Sequence, residues 1–191
     1  MPAPRTGSSA PVHQRAQRYI ADRVTAALGR LDPRLVRRAV EVLRSAPEIF
    51  VYGAGRSGII GRAFAMRLVQ TGLTAYVIGE SVTPIVKKGD VVFIVSGQGE
   101  SQSSIQVANI VRREGAELVV LTARSSSKLA HTATVLLAIE LPDDAERPRM
   151  APLGTIFESA SLLLTDSLIA ELMAARGETE ASMRRRHAII V

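Results

Sequence analysis

The chain has 191 residues, 47% of them hydrophobic, which suits one domain of ordinary size with a real core. It has no Cys and no Trp, which excludes a disulfide framework and thiolate chemistry and leaves the core to aliphatic side chains. The net charge of +6 sits in residues 1–44, where nine Arg face Asp22, Asp32 and Glu41, while residues 45–191 balance, so the charge reads as a solvated helical face and no nucleic-acid partner is expected.

No run of 18 uncharged apolar residues occurs, so no membrane span is expected. Residues 1–10 are rich in Pro, Ser and Gly, lack an apolar signal core and read as disordered; a cytoplasmic location is the default. From Val12 to Leu28, apolar residues recur at helical spacing (Ala16, Tyr19, Ile20, Val24, Ala27, Leu28), and Gly29 can end that helix. Asp32-Pro33 is a start signal, Asp as N-cap and Pro at the first helical position, for a second helix whose stripe is Leu35, Val36, Ala39, Val40 and Leu43.

Ile49 to Tyr52 reads as a buried strand that breaks at Gly53 and Gly55, with a helix starting around Ser57 and running through Ile59 to Val69. A strand, a glycine turn and a helix N-terminus together make an anion site. The same stretch spells G-x-G-x-x-G, and Glu80 follows about where a ribose-binding acid would sit, so a dinucleotide site stays open on these residues alone. Strands follow at Ala75–Ile78, Val91–Val95, Leu118–Leu121 and Val135–Ile139, with a turn at residues 87–90 and a helix at residues 104–113. Ser125 can cap a short helix to His131. A polar loop, residues 142–152, precedes a long apolar helix from Thr155 to Ala175, and the tail is charged and then apolar. Alternating strands and helices predict a doubly wound three-layer α/β/α sandwich with a five-stranded parallel sheet, preceded by two N-terminal helices. Ligands of such sheets sit beyond the carboxyl ends of the strands, where both glycine-rich turns belong.

The second of these turns, Ser96-Gly97-Gln98-Gly99-Glu100-Ser101, brings hydroxyls and glycines to the start of a helix, and several neutral donors converging there can surround a phosphate dianion. A dinucleotide fold needs one such turn; two at neighbouring strand ends fit one small phosphorylated ligand gripped from both sides.

Gly53-x-Gly55-x-Ser57 followed by Ser96-Gly-Gln-Gly-Glu-Ser101 resembles the sugar isomerase (SIS) domain. Within that family, four segments are similar to 6-phospho-3-hexuloisomerase: residues 52–58 with 61–67, Gly79-Glu80 through Thr83-Pro84 to residues 87–90, Ala151 to Glu158, and Met183 to Ala188. This implies a single SIS domain over residues 11–191 and interconversion of D-arabino-hex-3-ulose 6-phosphate and fructose 6-phosphate, the second step of formaldehyde fixation by the ribulose monophosphate pathway. It also implies a homotetramer with sites completed by a neighbouring subunit, and no metal or other cofactor. Arabinose 5-phosphate isomerases and noncatalytic sugar-phosphate sensors share the domain and stay open as alternatives.

The resemblance makes Glu158 the catalytic base; from its position alone it also matches a capping box with Thr155. His187 in the tail is the second catalytic candidate, since His titrates nearest neutral pH; His13 and His131 read as structural. Gly55, Arg56, Ser57, Ser96, Gly97, Gln98, Gly99, Ser101 and Thr155 are the expected substrate- and phosphate-binding residues. The chain departs from the family's S-G-S-G-E-T loop at Gln98 and Ser101, and from its Asn-containing tail at Ile189, Ile190 and Val191. The apolar length of the last helix, Leu162, Leu163 and Leu164 among it, points to core or subunit contact and a homo-oligomer.

Overall fold

The computed structural model describes residues 10–142 and 144–189. The expected disorder of the N-terminus therefore falls, for residues 1–9, outside the described residues, as do Ile190 and Val191.

All five predicted strands form: β1 (Ile49–Gly53), β2 (Ala75–Val77), β3 (Val91–Val95), β4 (Glu117–Thr122) and β5 (Val135–Ala138). They pair in parallel in the order β2-β1-β3-β4-β5. Ile49 lies opposite both Ala75 and Val91, and Val91 opposite Glu117. The central strands are apolar throughout because both faces are covered and successive side chains point to opposite faces. Ile49, Val51, Val91, Phe93 and Val95 join one core cluster, whereas Phe50, Val92 and Ile94 join the other. Each such side chain contributes roughly 1.5–3 kcal/mol by leaving water, so the middle of the sheet is the most firmly held part of the fold.

Helices α1 (Val12–Leu28), α2 (Pro33–Ser45), α3 (Gly55–Gln70) and α6 (Thr155–Arg176) fill the first layer, and α4 (Gln102–Glu114) the other. Two short helices, α5 (Arg147–Met150) and α7 (Glu180–Arg185), complete the chain. The Asp32-Pro33 signal works as expected: the Asp32 side chain accepts from Arg34 N–H at 2.8 Å. Because β1 leads to β2 through α3 on one face, and β3 to β4 through α4 on the other, the winding reverses between β1 and β3. The two glycine-rich turns leave the sheet at that switch point.

Three local expectations change. Helix α3 begins at Gly55, not near Ser57. The helix start presses against the strand end: a Cβ on Gly58 would lie 2.5 Å from the Gly53 carbonyl oxygen, and one on Gly53 2.8 Å from Gly58 N. Only glycines allow that approach. Ser125 caps no helix; its hydroxyl donates to Glu140, and residues 125–129 form turns that lead into a single 3₁₀ turn at Ala130–Thr132, with the Ser127 hydroxyl donating to the Arg124 carbonyl at 2.9 Å. His131 is tied to the same turn, its Nδ1 2.7 Å from the Ser127 carbonyl oxygen. The Thr155–Glu158 capping box does not form, because Thr155 is already inside α6 and its hydroxyl donates to the Pro152 carbonyl at 2.6 Å. A capping box does form at Thr179 and Ser182 and starts α7 inside the tail. There Arg186 folds back on Glu178, donating to its two oxygens at 2.8 and 3.0 Å, and to the Gln70 carbonyl at 3.1 Å. The Arg186 guanidinium and then the Ser182 hydroxyl hold the Glu178 carboxyl down at about 2.

Candidate active site

At the switch point a cleft of about 460 Å³ opens, within the 300–1,000 Å³ usual for small-ligand sites. One wall is Ser57 with Gly97 and Gln98; Leu153, Gly154, Phe157 and Glu158 form the opposite wall. Arg124 and Arg147 also line it. A groove of about 560 Å³ runs between α2 and the end of α6, floored by Leu28, Leu31, Val36 and Val40. It contains no residue of either glycine-rich turn and lies away from the strand ends, so the smaller cleft is the chemical candidate.

Three helices start around the strand ends, α3, α4 and α6, and none has a side-chain cap. Of the helices that start elsewhere, α2 and α7 are capped, by Asp32 and Thr179, and α1 is not. Uncapped first turns leave N–H groups and the positive end of the helix dipole facing the cleft region. Gly55, with φ of 56° and open space where a Cβ would stand, makes the turn into α3.

The turn after β3 is held from behind. Ala123 N–H donates to the Gly97 carbonyl at 3.0 Å, and Leu129 N–H to that of Gly99 at 3.1 Å. Lys128 N–H donates to Glu100 Oε1 at 3.0 Å, and its ammonium lies 3.4 Å from Oε2. Gly99 has φ of 66°, and a Cβ there would meet Ser127 Oγ at 2.1 Å. The Glu of this motif thus ties the turn in place; the Lys128 N–H, first, and the Lys128 side chain hold its carboxyl below the usual range.

Glu158 lies in the first turn of α6 with a side chain 15% exposed. Arg56 Nη2 comes within 2.6 Å of its Oε2, yet that buried oxygen accepts no properly aligned hydrogen bond. A Cβ on Gly154 would lie 2.8 Å from Glu158 Oε1, and one on Gly97 3.1 Å from the Phe157 ring, so both glycines make room for the α6 wall. Leu153 is 86% exposed in a left-handed conformation, φ 56°, with its carbonyl accepting from Arg147 Nη1 at 3.3 Å. That conformation costs a non-glycine residue about 1–2 kcal/mol, and such strain gathers at functional sites.

The structure therefore brings Ser57, Gly97, Gln98 and Glu158 together in the cleft lining, with Arg56 bridging to Glu158. Gly55, Ser96, Gly99, Ser101 and Thr155 flank it: Ser96 is buried at the strand end, and the Ser101 hydroxyl meets that of Ser103 at 2.9 Å. His187 lies apart in the tail, exposed, its Nδ1 2.9 Å from the Ala188 carbonyl oxygen. Glu80, the acid of the dinucleotide reading, is ion-paired with Arg62 at 2.9 Å. Sequence reasoning missed Arg124, Arg147 and Leu153. Arg124 had a usable signal, since it follows β4 by two residues at the same carboxyl edge. Among the described residues, no group of three or more His, Asp or Glu could hold a metal ion, and no helix is long and apolar enough to cross a membrane.

With this geometry in view, the comparisons are specific. The family described as SIS domain matches residues 42–169. An uncharacterised protein of Archaeoglobus fulgidus is 39% identical over 164 residues, 84% of this chain and 90% of that one. The 3-hexulose-6-phosphate isomerase of Methylomonas aminofaciens is 32% identical over 153 residues, 79% of this chain and 84% of its own. A crystal structure from Methanococcus jannaschii, for which a 3-hexulose-6-phosphate isomerase function was inferred, superposes with a TM-score of 0.84 at 26% identity, covering 93% of this chain and 99% of that one.

Proposed function

This chain belongs to the SIS domain family, and we propose that it is a phosphosugar isomerase whose residues 11–191 act as one domain to interconvert D-arabino-hex-3-ulose 6-phosphate and fructose 6-phosphate. The observation that carries the reading is Glu158, a carboxylate set in a polar cleft opposite a glycine-rich, hydroxyl-bearing turn. The Methylomonas relative and the Methanococcus structure support the choice of sugar.

The two sugars are isomers, so no oxidant or reductant enters the balance. Glu158 takes the proton from C2, the C2–H electrons form the C2=C3 bond of an enediol, and the same carboxyl returns a proton to C3. The proton on O2 must leave and one must arrive on O3. That transfer is assigned to His187 reaching the cleft of a neighbouring subunit in a homotetramer. Exposed Ile59 and Met66 on α3 and Leu162 and Leu163 on α6 support such a subunit contact. The phosphate is held by Ser57, Ser96 and Ser101 with the backbone at Gly55, Gly97 and Gly99, and by the Gln98 amide, which donates as a hydroxyl does. Arg56 and Thr155 complete the substrate-binding set. Binding energy from this unreacting group holds C2 and C3 over the base. In this reading the enzyme completes formaldehyde fixation by the ribulose monophosphate pathway.

The test is a coupled assay supplying ribulose 5-phosphate, formaldehyde and a hexulose-phosphate synthase, with fructose 6-phosphate measured as product. Product formation is expected, and its loss in a folded chain lacking residues 184–191. No product from the intact, folded protein refutes the reading; full activity in the shortened chain removes His187 alone.

A further inference from the structure

We infer that Arg56 is a positioning residue that covers the Glu158 carboxylate and that the substrate's phosphate draws it away, so that the phosphate switches the base on as well as anchoring the sugar. The inference rests on the proposed isomerase reading and deepens it.

Two acceptors compete for one guanidinium. Arg56 is the second residue of α3, a helix with no acidic residue in its first turn and no side-chain cap. A dianion arriving beside Ser57, the next residue and part of the cleft lining, meets the helix N-terminus and the Arg56 charge together. The guanidinium instead reaches across to α6, 2.6 Å from Glu158 Oε2, without hydrogen-bond alignment. A base that must take a proton from carbon needs an open lone pair on the substrate side, and Arg56 occupies that approach to Oε2. Oε1 is folded over Gly154.

The pair is built to part. The Arg56 side chain is 62% exposed, so it can swing without opening the core. Water screens the arginine end of the pair, and the long Arg56 side chain must be ordered to reach the buried Glu158 oxygen, so little holds the guanidinium there. A phosphate offers the planar fork two parallel hydrogen bonds and a double charge, the geometry the guanidinium matches best. Once Arg56 turns to the phosphate, Glu158 faces C2 uncovered.

The experiment separates phosphate from sugar. The substrates are D-arabino-hex-3-ulose without its phosphate, and the same sugar with inorganic phosphite added as a separate piece. Phosphite is expected to raise turnover of the phosphate-free sugar in the wild type by about tenfold or more. Arg56→Ala is expected to turn over the phosphate-free sugar faster than wild type when phosphite is absent, and to gain nothing from phosphite. Absence of phosphite activation in a wild type that does isomerise the hexulose phosphate overturns the inference and leaves the isomerase reading standing; equal activation in Arg56→Ala also overturns it. A second readout needs neither turnover nor a variant. Inorganic phosphate titrated into the ¹⁵N-labelled wild-type protein should shift the Arg56 Nε–H resonance, and no shift there, at any phosphate concentration, overturns the inference.

Discussion

The turn at residues 96–101 is tied to residues 123–129 behind it through Gly97, Gly99 and Glu100, whereas the Leu153–Glu158 corner across the cleft, anchored in the core by Ile156 and Phe157, holds its cleft-side groups through two long arginines, Arg56 at Glu158 and Arg147 at the Leu153 carbonyl. The first wall is made of backbone and short side chains whose hydrogen bonds are already formed, so little of it would be left to order on binding the proposed phosphate. The second carries a strained backbone at Leu153 and an ion pair at Glu158 whose arginine is exposed, so in the inferred switch its geometry changes on binding. A fixed cradle and an adjustable base suit a reaction in which one end of the substrate stays still while protons move at the other.

The strongest way to break this comparison is at the base. Glu158→Gln keeps the size and the contact over Gly154 but cannot take a proton from carbon. Turnover of the hexulose phosphate is expected to fall by about a thousandfold, within the range general-base removal gives, with the melting temperature little changed. Turnover within a few fold of wild type would mean that the second wall does no chemistry.

The next largest effect is expected at Gly99. Gly99→Ala must put a Cβ 2.1 Å from Ser127 Oγ while keeping φ at 66°, which costs roughly 2–4 kcal/mol from strain and overpacking together. Gly55→Ala has a similar positive φ of 56° with nothing within 4 Å, and costs only the conformational part, about 1 kcal/mol. Thermal melts of the two variants sharpen the contrast between a turn fixed by its neighbours and a turn facing open space. Equal losses would show that the segment behind residues 96–101 is softer than its hydrogen bonds imply.

These residues also mark what the amino-acid order could and could not reveal. The all-apolar runs at Ile49 and Val91 announce strands covered on both faces, and the Asp32-Pro33 pair announces a helix start, because each is decided within a few residues. The glycines of both turns were visible too, but not their tasks: Gly53 and Gly58 serve helix–strand contact, and Gly99 makes room for Ser127, a partner 28 positions on. Glu158 matched a capping box that the chain does not form, because Pro152 takes the Thr155 hydroxyl first. Arg124 could have been found from its place two residues after β4, but Arg147 and the strained Leu153 could not. Their place in the cleft follows from how α5 and α6 are set against one another, which no local pattern encodes.

The smallest effect, and the most direct probe of the fixed wall, is the pH response of Glu100. Its carboxyl is held below its ordinary 4.5 chiefly by the Lys128 N–H, against some loss of solvation, and further by the Lys128 ammonium. A carboxyl depressed in the folded state lends stability above its unfolded pKa, and that stability is lost as pH falls through the folded value. Glu100→Gln should therefore melt slightly below wild type by a constant margin from pH 6 to 8. The margin should shrink as the pH drops below about 4.5, where the carboxyl of the unfolded chain begins to protonate, and vanish once the pH has fallen through the depressed folded value and the folded carboxyl releases Lys128. Melting curves of the two proteins across that range, compared as a difference so that other titrating groups cancel, test it. A margin as wide at pH 3 as at pH 7 would mean that the charge on Glu100 does not hold the turn, and that its backbone hydrogen bonds at Gly97 and Gly99 suffice.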